Sequence, residues 1–460
     1  MLAFLALGYW LGGKVADRRP HPRLLGAILL SAAALLAVVP FAAHPLLRLA
    51  VNGFASISVV VVVGSFVSVL ALFALPVTLL GAVGPFAVRL SLSSVAAAGQ
   101  TAGRLYALST VGSILGTFLS ALVAIPLVGT QRTLLAIAVV VALAALPLLG
   151  VSSLVAAGVL AATVALPPGQ IKPGAAVIYE TESPYEYVSV VAYPDGERAL
   201  QINEGVADQS VWHPHSVLTG GYWDLFLLLP KLLDRPARSM LVIGDGGGTI
   251  PRAYGRFYPG VRIDGVELDP AVTAAARRFL GLADNPRLHT ITADGRLYLE
   301  KTSKRYDLIA VDAYRQPYVP YQLTTREFFQ IVRSHLGRDG IVALNVAATP
   351  YDRQLTRALG STLASVFPQV WRISALRFND LVIAVQKPLT RKQLIHRLRG
   401  AAPSLQPILP RVLQGLAPLV AAGAPWTDDR APVEWVTDRM LAAQITHHQG
   451  LDENLLPTAP

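Results

Sequence analysis

Residues 239 to 269, SMLVIGDGGGTIPRAYGRFYPGVRIDGVELD, limit the fold more than any other stretch of the chain. Met240 to Ile243 is a short apolar run that stops at Gly244, and glycines at 244, 246, 247 and 248 allow a tight turn with close backbone approach to a ligand. A helix follows. A second run, Val261 to Leu268, carries Glu267 near its end, close to the roughly 20 residues expected between a glycine turn and a ribose-binding carboxylate. A dinucleotide fingerprint has glycine at its first, third and sixth places, but the sixth place counted from Gly244 is Thr249. The GxGxG spacing fits a nucleoside without a pyrophosphate, as in S-adenosylmethionine enzymes. The competing reading is a structural turn in some other α/β domain.

The rest of the chain is too apolar for an ordinary soluble protein, with 53% hydrophobic residues and a mean hydropathy of +0.48. Its 460 residues are enough for two or three domains. The formal charge of +10 divides unevenly. Residues 1 to 168 hold eight Lys/Arg and one acidic residue, net +7, which leaves 31 basic against 28 acidic residues, net +3, for the remainder. The excess therefore accompanies the apolar half, where positive charge sets topology. No basic run with interleaved aromatics appears in the second half, which argues against nucleic-acid binding. Without cysteine there is no disulfide framework, no thiolate nucleophile and no Cys-type zinc site.

Met1 to Gly13 is apolar but short of a bilayer of about 30 Å, and its charges follow it, which favours a membrane helix over a signal peptide. Further spans are expected at Leu24 to Ala43, Ile57 to Val83, Leu105 to Val128, Thr133 to Leu149 and, less firmly marked, Val151 to Leu166. Gly8 with Gly12, and Gly112 with Gly116, have the small-xxx-small spacing that lets helices approach closely. None of these spans carries an ionisable residue in its middle, which reads as an anchor in the lipid bilayer instead of a transporter. With the loop 14 to 23 cytoplasmic, six spans place the C-terminal part outside and five place it inside.

The stretch 165 to 174, ALPPGQIKPG, reads as a linker. Val177 to Val191 and Arg198 to Val206 read as strands joined by a turn at Pro194 to Gly196. Strands then alternate with helices: Met240 to Ile243, Val261 to Leu268, Leu288 to Thr292, Asp307 to Val311, Gly340 to Val346 and Leu381 to Val385. This pattern predicts a parallel doubly wound sheet with ligands at the carboxyl ends of its strands. The expected architecture is a transmembrane helical bundle (1 to 168), a small β-strand domain (169 to 235), a Rossmann-like, class I methyltransferase-type α/β domain (236 to 390) and a partly helical tail (391 to 460).

Four acids follow strands or glycine turns: Asp245, Glu267, Asp294 and Asp312. Glu267 suits the two ribose hydroxyls, Asp294 with Gly295 the adenine amino group, and Asp312 closes the apolar run DLIAV. Each, taken singly, could equally cap the following helix. Together their spacings favour a nucleoside pocket. His213 and His215, and His447 with His448, match no metal-ligand spacing and read as surface histidines.

The motifs LVIGDGGGT, VELDP, the ADG of 293 to 295, YDLIAVDAY and QLTTREFF make residues 175 to 385 resemble the spermidine synthase family of polyamine aminopropyltransferases. The apolar half and the late motif TDDRAPVE (427 to 434) look like membrane-fused members of that family, which implies a multi-pass protein of the cell inner membrane. The resemblance implies decarboxylated S-adenosylmethionine as co-substrate with no permanently bound cofactor, a small amine such as putrescine as acceptor, and a homodimer. Residue by residue, it implies that Gln209 lies near the methylthio end of the nucleoside. Gly244, Asp245, Gly246, Gly248, Glu267, Asp294 and Gly295 would line the nucleoside site, and Asp312 would take the proton of the attacking amine. Tyr222, Asp224, Tyr314 and Gln316 would border the acceptor. Three features depart from the family pattern. GDGGG stands where GGGDGG is usual, Asp312 is followed by AYRQP without the second acid of DSxDP, and YQE or YHE is replaced by Tyr222, Trp223 and Asp224. A diamine has two ammonium groups and wants a carboxylate for each. Methyl transfer from S-adenosylmethionine itself, and a non-catalytic nucleoside or polyamine sensor, are the alternatives.

Overall fold

A computed structural model of the chain describes residues 1–53, 58–92, 94, 98–166, 176–203, 207–315, 317–374 and 376–446. The linker reading beyond residue 166, the end of the strand expected to reach Val206, Gln316, His447 and His448 lie outside the described residues. The chain divides into two compact units, one holding residues 1 to 174 and the other nearly all that follows.

The first unit is helical: α1 (Leu2–Arg18), α2 (Pro22–Gly53), α3 (Ser58–Ser91), α4 (Ala98–Leu119), α5 (Ile125–Ala144), α6 (Leu146–Leu149) and α7 (Val151–Val164). Three stretches are long and apolar enough to cross a membrane, Pro22–Ala43, Phe66–Ser91 and Ala98–Ala144. The last contains a π-helical turn, Ser120–Ala124, and a break at Gly129, whose φ of 83° ends one helical run and starts the next. That glycine is the physical divider between the spans expected at Leu105 to Val128 and Thr133 to Leu149. The two small-xxx-small pairs behave differently. A Cβ on Gly8 would come 2.2 Å from the Thr78 carbonyl oxygen and one on Gly12 2.5 Å from Ala82 Cα, so this pair seats α1 against α3. Gly112 and Gly116 meet nothing within 4 Å in this unit.

The second unit begins with a four-stranded antiparallel sheet, β1 (Val177–Glu182), β2 (Tyr187–Ala192), β3 (Arg198–Ile202) and β4 (Asp208–Trp212), in that spatial order. The run expected to be one strand from Val177 to Val191 is two, because Pro184 lacks the N–H a ladder requires. Gly196, at φ 89°, makes the expected turn between β2 and β3. The helix α8 (Trp223–Phe226) leads into the main sheet: β5 (Ser239–Ile243), α9 (Thr249–Phe257), β6 (Arg262–Glu267), α10 (Pro270–Phe279), β7 (Leu288–Thr292), α11 (Gly295–Lys301), β8 (Tyr306–Val311), α12 (Arg326–Ser334) and β9 (Leu336–Ala347). Then follow α13 (Gln354–Ala364), β10 (Gln369–Ile373), β11 (Asn379–Val385), α14 (Arg391–Arg399), α15 (Leu409–Gly415), β12 (Leu416–Pro418) and α16 (Val433–Thr446).

The eight strands run β12-β10-β11-β9-β8-β5-β6-β7. Pairing is parallel from β7 to β9, as expected, and antiparallel at β9–β11, β11–β10 and β10–β12. The expectation of a wholly parallel sheet is therefore corrected at one edge. Its strands β10 and β12 are short and were not anticipated. Both faces of the centre are buried. Met240 and Val242 pack on one side with Tyr254 and Phe226, Leu241 and Ile243 on the other with Phe328 and Phe329, which explains the uninterrupted apolar run. The chain leaves β5 toward β6 and β7 and returns to β8 on the other side of β5, so the strand order reverses between β5 and β8. Ligands of open α/β sheets bind at such a reversal, beyond the carboxyl ends of the strands.

Candidate active site

The glycine turn lies at that point. Gly244, Gly246 and Gly248 have φ of 82°, 54° and 78°, a region that side chains disfavour. A Cβ on Gly244 would also come 2.5 Å from the Asp312 carbonyl oxygen, so glycine there lets the turn after β5 pass directly over the residue that follows β8. Asp312 N–H donates to the Ile243 carbonyl at 2.8 Å and completes the junction. The small sheet holds the turn from above. Gly247 N–H donates to Ser210 Oγ at 2.7 Å, and Thr249 Oγ1 exchanges hydrogen bonds of 2.9 and 3.1 Å with the backbone of Val211. Gln209 thus stands on β4 beside Gly246, with its side-chain amide donating to the Ala207 carbonyl at 3.3 Å.

Glu267, at the end of β6, is half-buried and accepts from Gly246 N–H at 2.9 Å through Oε2 and from Asp269 N–H at 3.0 Å through Oε1. Burial raises its pKa, and the backbone donors oppose the rise. Asp294 caps α11, with Oδ1 accepting from the N–H groups of Arg296 and Leu297 at 2.9 and 3.0 Å. Gly295 next to it is a packing glycine, since a Cβ there would come 2.3 Å from Ile243 Cγ2.

Asp245 is 5% exposed and lies against β6, where a Cβ on Gly265 would come 2.6 Å from its Oδ2. Its Oδ1 has no hydrogen-bond partner among the described residues. Burial, and then the charge of Glu267, push this carboxyl up to about 8. Glu186, between β1 and β2, was missed by the sequence reading and lies within electrostatic reach of Glu267. Burial, then Glu267 and Asp269, raise it to about 8 against the opposing pull of Arg315. A cationic ligand beside these carboxyls favours their charged forms. At about pH 7.5 its binding is expected to expel protons, up to about two, while a neutral thioether nucleoside expels none. Calorimetry in two buffers of different ionisation heat measures the difference, and equal proton release by both ligands would refute it.

Asp312 follows β8 and is half-buried. Its Oδ2 accepts from the Tyr222 hydroxyl at 3.1 Å and its Oδ1 from Asn345 Nδ2 at 2.9 Å. Burial pushes the carboxyl up to about 7, against the lowering effect of Asn345 and then Tyr222. The structure therefore brings Tyr222 and Asp312 together. The polar groups of Tyr314 and Asp224 bond to backbone. The Tyr314 hydroxyl donates to the Asn345 carbonyl at 3.0 Å and accepts from Ala347 N–H at 2.8 Å, so it pins the loop after β8 to β9. Asp224 is 2% exposed, and its carboxylate accepts from Thr219 N–H at 3.1 Å and Gly220 N–H at 2.8 Å. It holds its own turn. Asn345 was not anticipated, although a polar residue within the apolar run IVALNVA of β9 was a visible signal.

The TDDRAPVE motif is bonded to the first turns of α11 and α12. Asp428 accepts from Arg296 Nη1 and Nη2, each at 2.7 Å, and from Thr325 Oγ1 at 2.7 Å. It thereby ties the caps of α11 and α12 to the C-terminal segment. Among the described residues no group of three His, Asp or Glu could hold a metal ion.

This geometry can be set beside known proteins. Residues 221–376 match the spermine/spermidine synthase domain. The chain is 37% identical over 191 residues to a protein of Bifidobacterium longum named as a probable polyamine aminopropyl transferase, covering 41% of this chain and 42% of that one. It is 27% identical to a polyamine aminopropyltransferase of Vibrio vulnificus, covering 58% of this chain and 91% of the relative. The crystal structure of a probable spermidine synthase from Corynebacterium glutamicum aligns with a TM-score of 0.42 at 18% identity, covering 58% of this chain and 94% of that one. The chain thus spans less than half of the Bifidobacterium relative. The likeness to the spermine/spermidine synthase domain is confined to residues 221–376, the part of the chain that holds the glycine turn, Glu267, Asp294 and Asp312.

Proposed function

We propose that the chain is a membrane-anchored aminopropyltransferase that moves the aminopropyl group of decarboxylated S-adenosylmethionine to a small amine. The observation that carries this reading is Asp312, a raised carboxyl at the strand reversal, hydrogen-bonded to Tyr222 and directly beneath the glycine turn. Glu267 and Asp294 are the ribose and adenine ligands, Gln209 borders the sulfur, and Asp245 with the Gly244 to Gly248 turn faces the rest of the donor. The amine lone pair attacks the propyl carbon attached to the sulfonium. The carbon–sulfur bond breaks, sulfur keeps the electron pair, and methylthioadenosine leaves as a neutral thioether. No leaving-group acid is required, so the protein aligns the reactants and removes one ammonium proton, which passes to Asp312.

Residues 1 to 168 are the anchor in this reading, followed by the strand domain of 169 to 235, the catalytic domain of 236 to 390 and the tail. The three long apolar stretches support a multi-pass membrane location. The test is to incubate the purified chain in detergent with decarboxylated or intact S-adenosylmethionine and a panel of amines, and to identify products by mass spectrometry. An aminopropylated amine with methylthioadenosine is expected. A methylated product would assign methyl transfer, and no product with any pair would favour the sensor. A fragment beginning near Lys172 is further expected to be soluble and to bind methylthioadenosine, because every nucleoside contact proposed lies after it. Aggregation or failure to bind, while the full chain binds in detergent, would count against a separable anchor.

A further inference from the structure

Asp312 is the near end of a chain of side chains that crosses three strands. Asn345, on β9 and 5% exposed, donates from Nδ2 to Asp312 Oδ1 at 2.9 Å. Its own Oδ1 accepts from Asn379 Nδ2 at 2.9 Å, and Asn379 is the first residue of β11. The direction of these bonds is fixed by chemistry. An ionised carboxylate only accepts, so Asn345 must turn its NH₂ toward Asp312 and its carbonyl toward Asn379, which must then donate. Asn379 is itself held in place. The next residue, Asp380, is fully buried and is gripped by Arg353 Nη1 at 2.5 Å, Ser374 Oγ at 2.6 Å and Thr356 Oγ1 at 2.9 Å. Successive residues of a strand point to opposite faces, so anchoring Asp380 on one face directs Asn379 to the other.

We propose that Asn345 and Asn379 are positioning residues that keep Asp312 Oδ1 a hydrogen-bond acceptor and leave Oδ2, beside Tyr222, as the oxygen that takes the amine proton. A proton on Oδ1 would face the Asn345 NH₂, donor against donor, unless the amide turned over and broke its bond with Asn379. Oδ2 has room for both roles, accepting from the Tyr222 hydroxyl on one lone pair and the amine proton on the other. The titratable groups facing Asp312 are Tyr222, from the segment before α8, and Tyr314, from its own loop. The neighbouring strands β9 and β11 present neutral amides, and the acid Asp380 is directed away and paired with Arg353. The ionised form of Asp312 therefore depends on the amide chain more than on any nearby cation. The inference rests on reading Asp312 as the base, and the measurement below separates the two.

The protonation of Asp312 is read in the full chain by infrared difference titration, with its signal assigned by loss in Asp312→Asn. In Asn345→Leu the midpoint is expected to rise by about one to two pH units, and the acid limb of kcat/KM to rise with it. Asn379→Leu, which touches nothing on Asp312 directly, is expected to move both in the same direction by a smaller amount. A merely structural role would lower thermal stability without moving either midpoint. If Asn345→Leu fails to fold, the Asn379→Leu titration decides. Unmoved midpoints in the folded variants, with normal wild-type turnover, would overturn the amide chain and leave the enzyme reading intact. Moved midpoints, with no turnover by the wild type on any donor and amine, would uphold the chain and remove the enzyme reading instead.

Discussion

Asp312→Asn is expected to lower turnover by about 10² to 10⁴ while donor affinity stays nearly unchanged. Asparagine keeps the size of the carboxyl and can still meet the Tyr222 hydroxyl, but it cannot take a proton. The chemistry sets the loss, because displacement by an amine yields an ammonium product whose proton must leave, and sulfur departs without assistance. The pH profile carries a second signature. In the wild type the rate should rise through about pH 7, as the half-buried carboxyl, pushed up to about 7, loses its proton and becomes a base. In Asp312→Asn this limb disappears, and the remaining rise lies at higher pH, where free amine replaces ammonium without help. Steady-state kinetics across pH, with donor binding measured separately, checks both parts. Near-normal turnover in the variant would remove Asp312 from catalysis.

The parts of this site that were legible in the sequence are those whose causes are local. The segment 239 to 269 could be read because β5 is buried on both faces and so is apolar without alternation, and because Gly244, Gly246 and Gly248 answer a backbone need that other residues meet poorly. The helical unit was likewise visible as apolar length, and Gly129, the divider between two expected spans, is a local feature as well. Pairings across distance were not legible from pattern alone. Tyr222 and Asp312 are 90 residues apart, and a family resemblance, not periodicity, placed them together. Asp224 shows a competition that pattern does not report. A carboxylate two residues after Tyr222 reads as a ligand, but nearby backbone donors at Thr219 and Gly220 engage it, and no spacing rule reports that competition. The strand β12 escaped because three residues leave too little pattern to separate a strand from a loop, and β10 because QVWRI neither alternates strictly nor forms an unbroken apolar run. Asn345 was visible as a polar interruption of an apolar run, yet its meaning depends on two other strands.

Glu267→Gln tests the donor side, and the structure refines what it should do. A charge-assisted hydrogen bond contributes about 1.5 to 3 kcal/mol, so loss of the charged acceptor for the ribose hydroxyls is expected to weaken nucleoside binding by roughly 10- to 150-fold. Glu267 also holds the protein together here, since its two oxygens accept from Gly246 N–H and Asp269 N–H. Glutamine can replace only one of these acceptors, and its NH₂ would then face a backbone N–H, donor against donor. Part of the loss would therefore reach the ligand indirectly, through a glycine turn less firmly held. Stability separates the two contributions. If the ribose contact dominates, calorimetry shows the affinity loss while the thermal midpoint of the unliganded variant changes little. If holding the turn dominates, the midpoint falls as well, and methylthioadenosine and bare adenine, which lacks the ribose, weaken by similar factors. The expected result is a much larger loss for the nucleoside than for the base, because the carboxylate oxygens each have a second lone pair to offer the ribose. Unchanged nucleoside affinity with a lowered thermal midpoint would assign Glu267 to the turn alone and leave the ribose without its proposed acid.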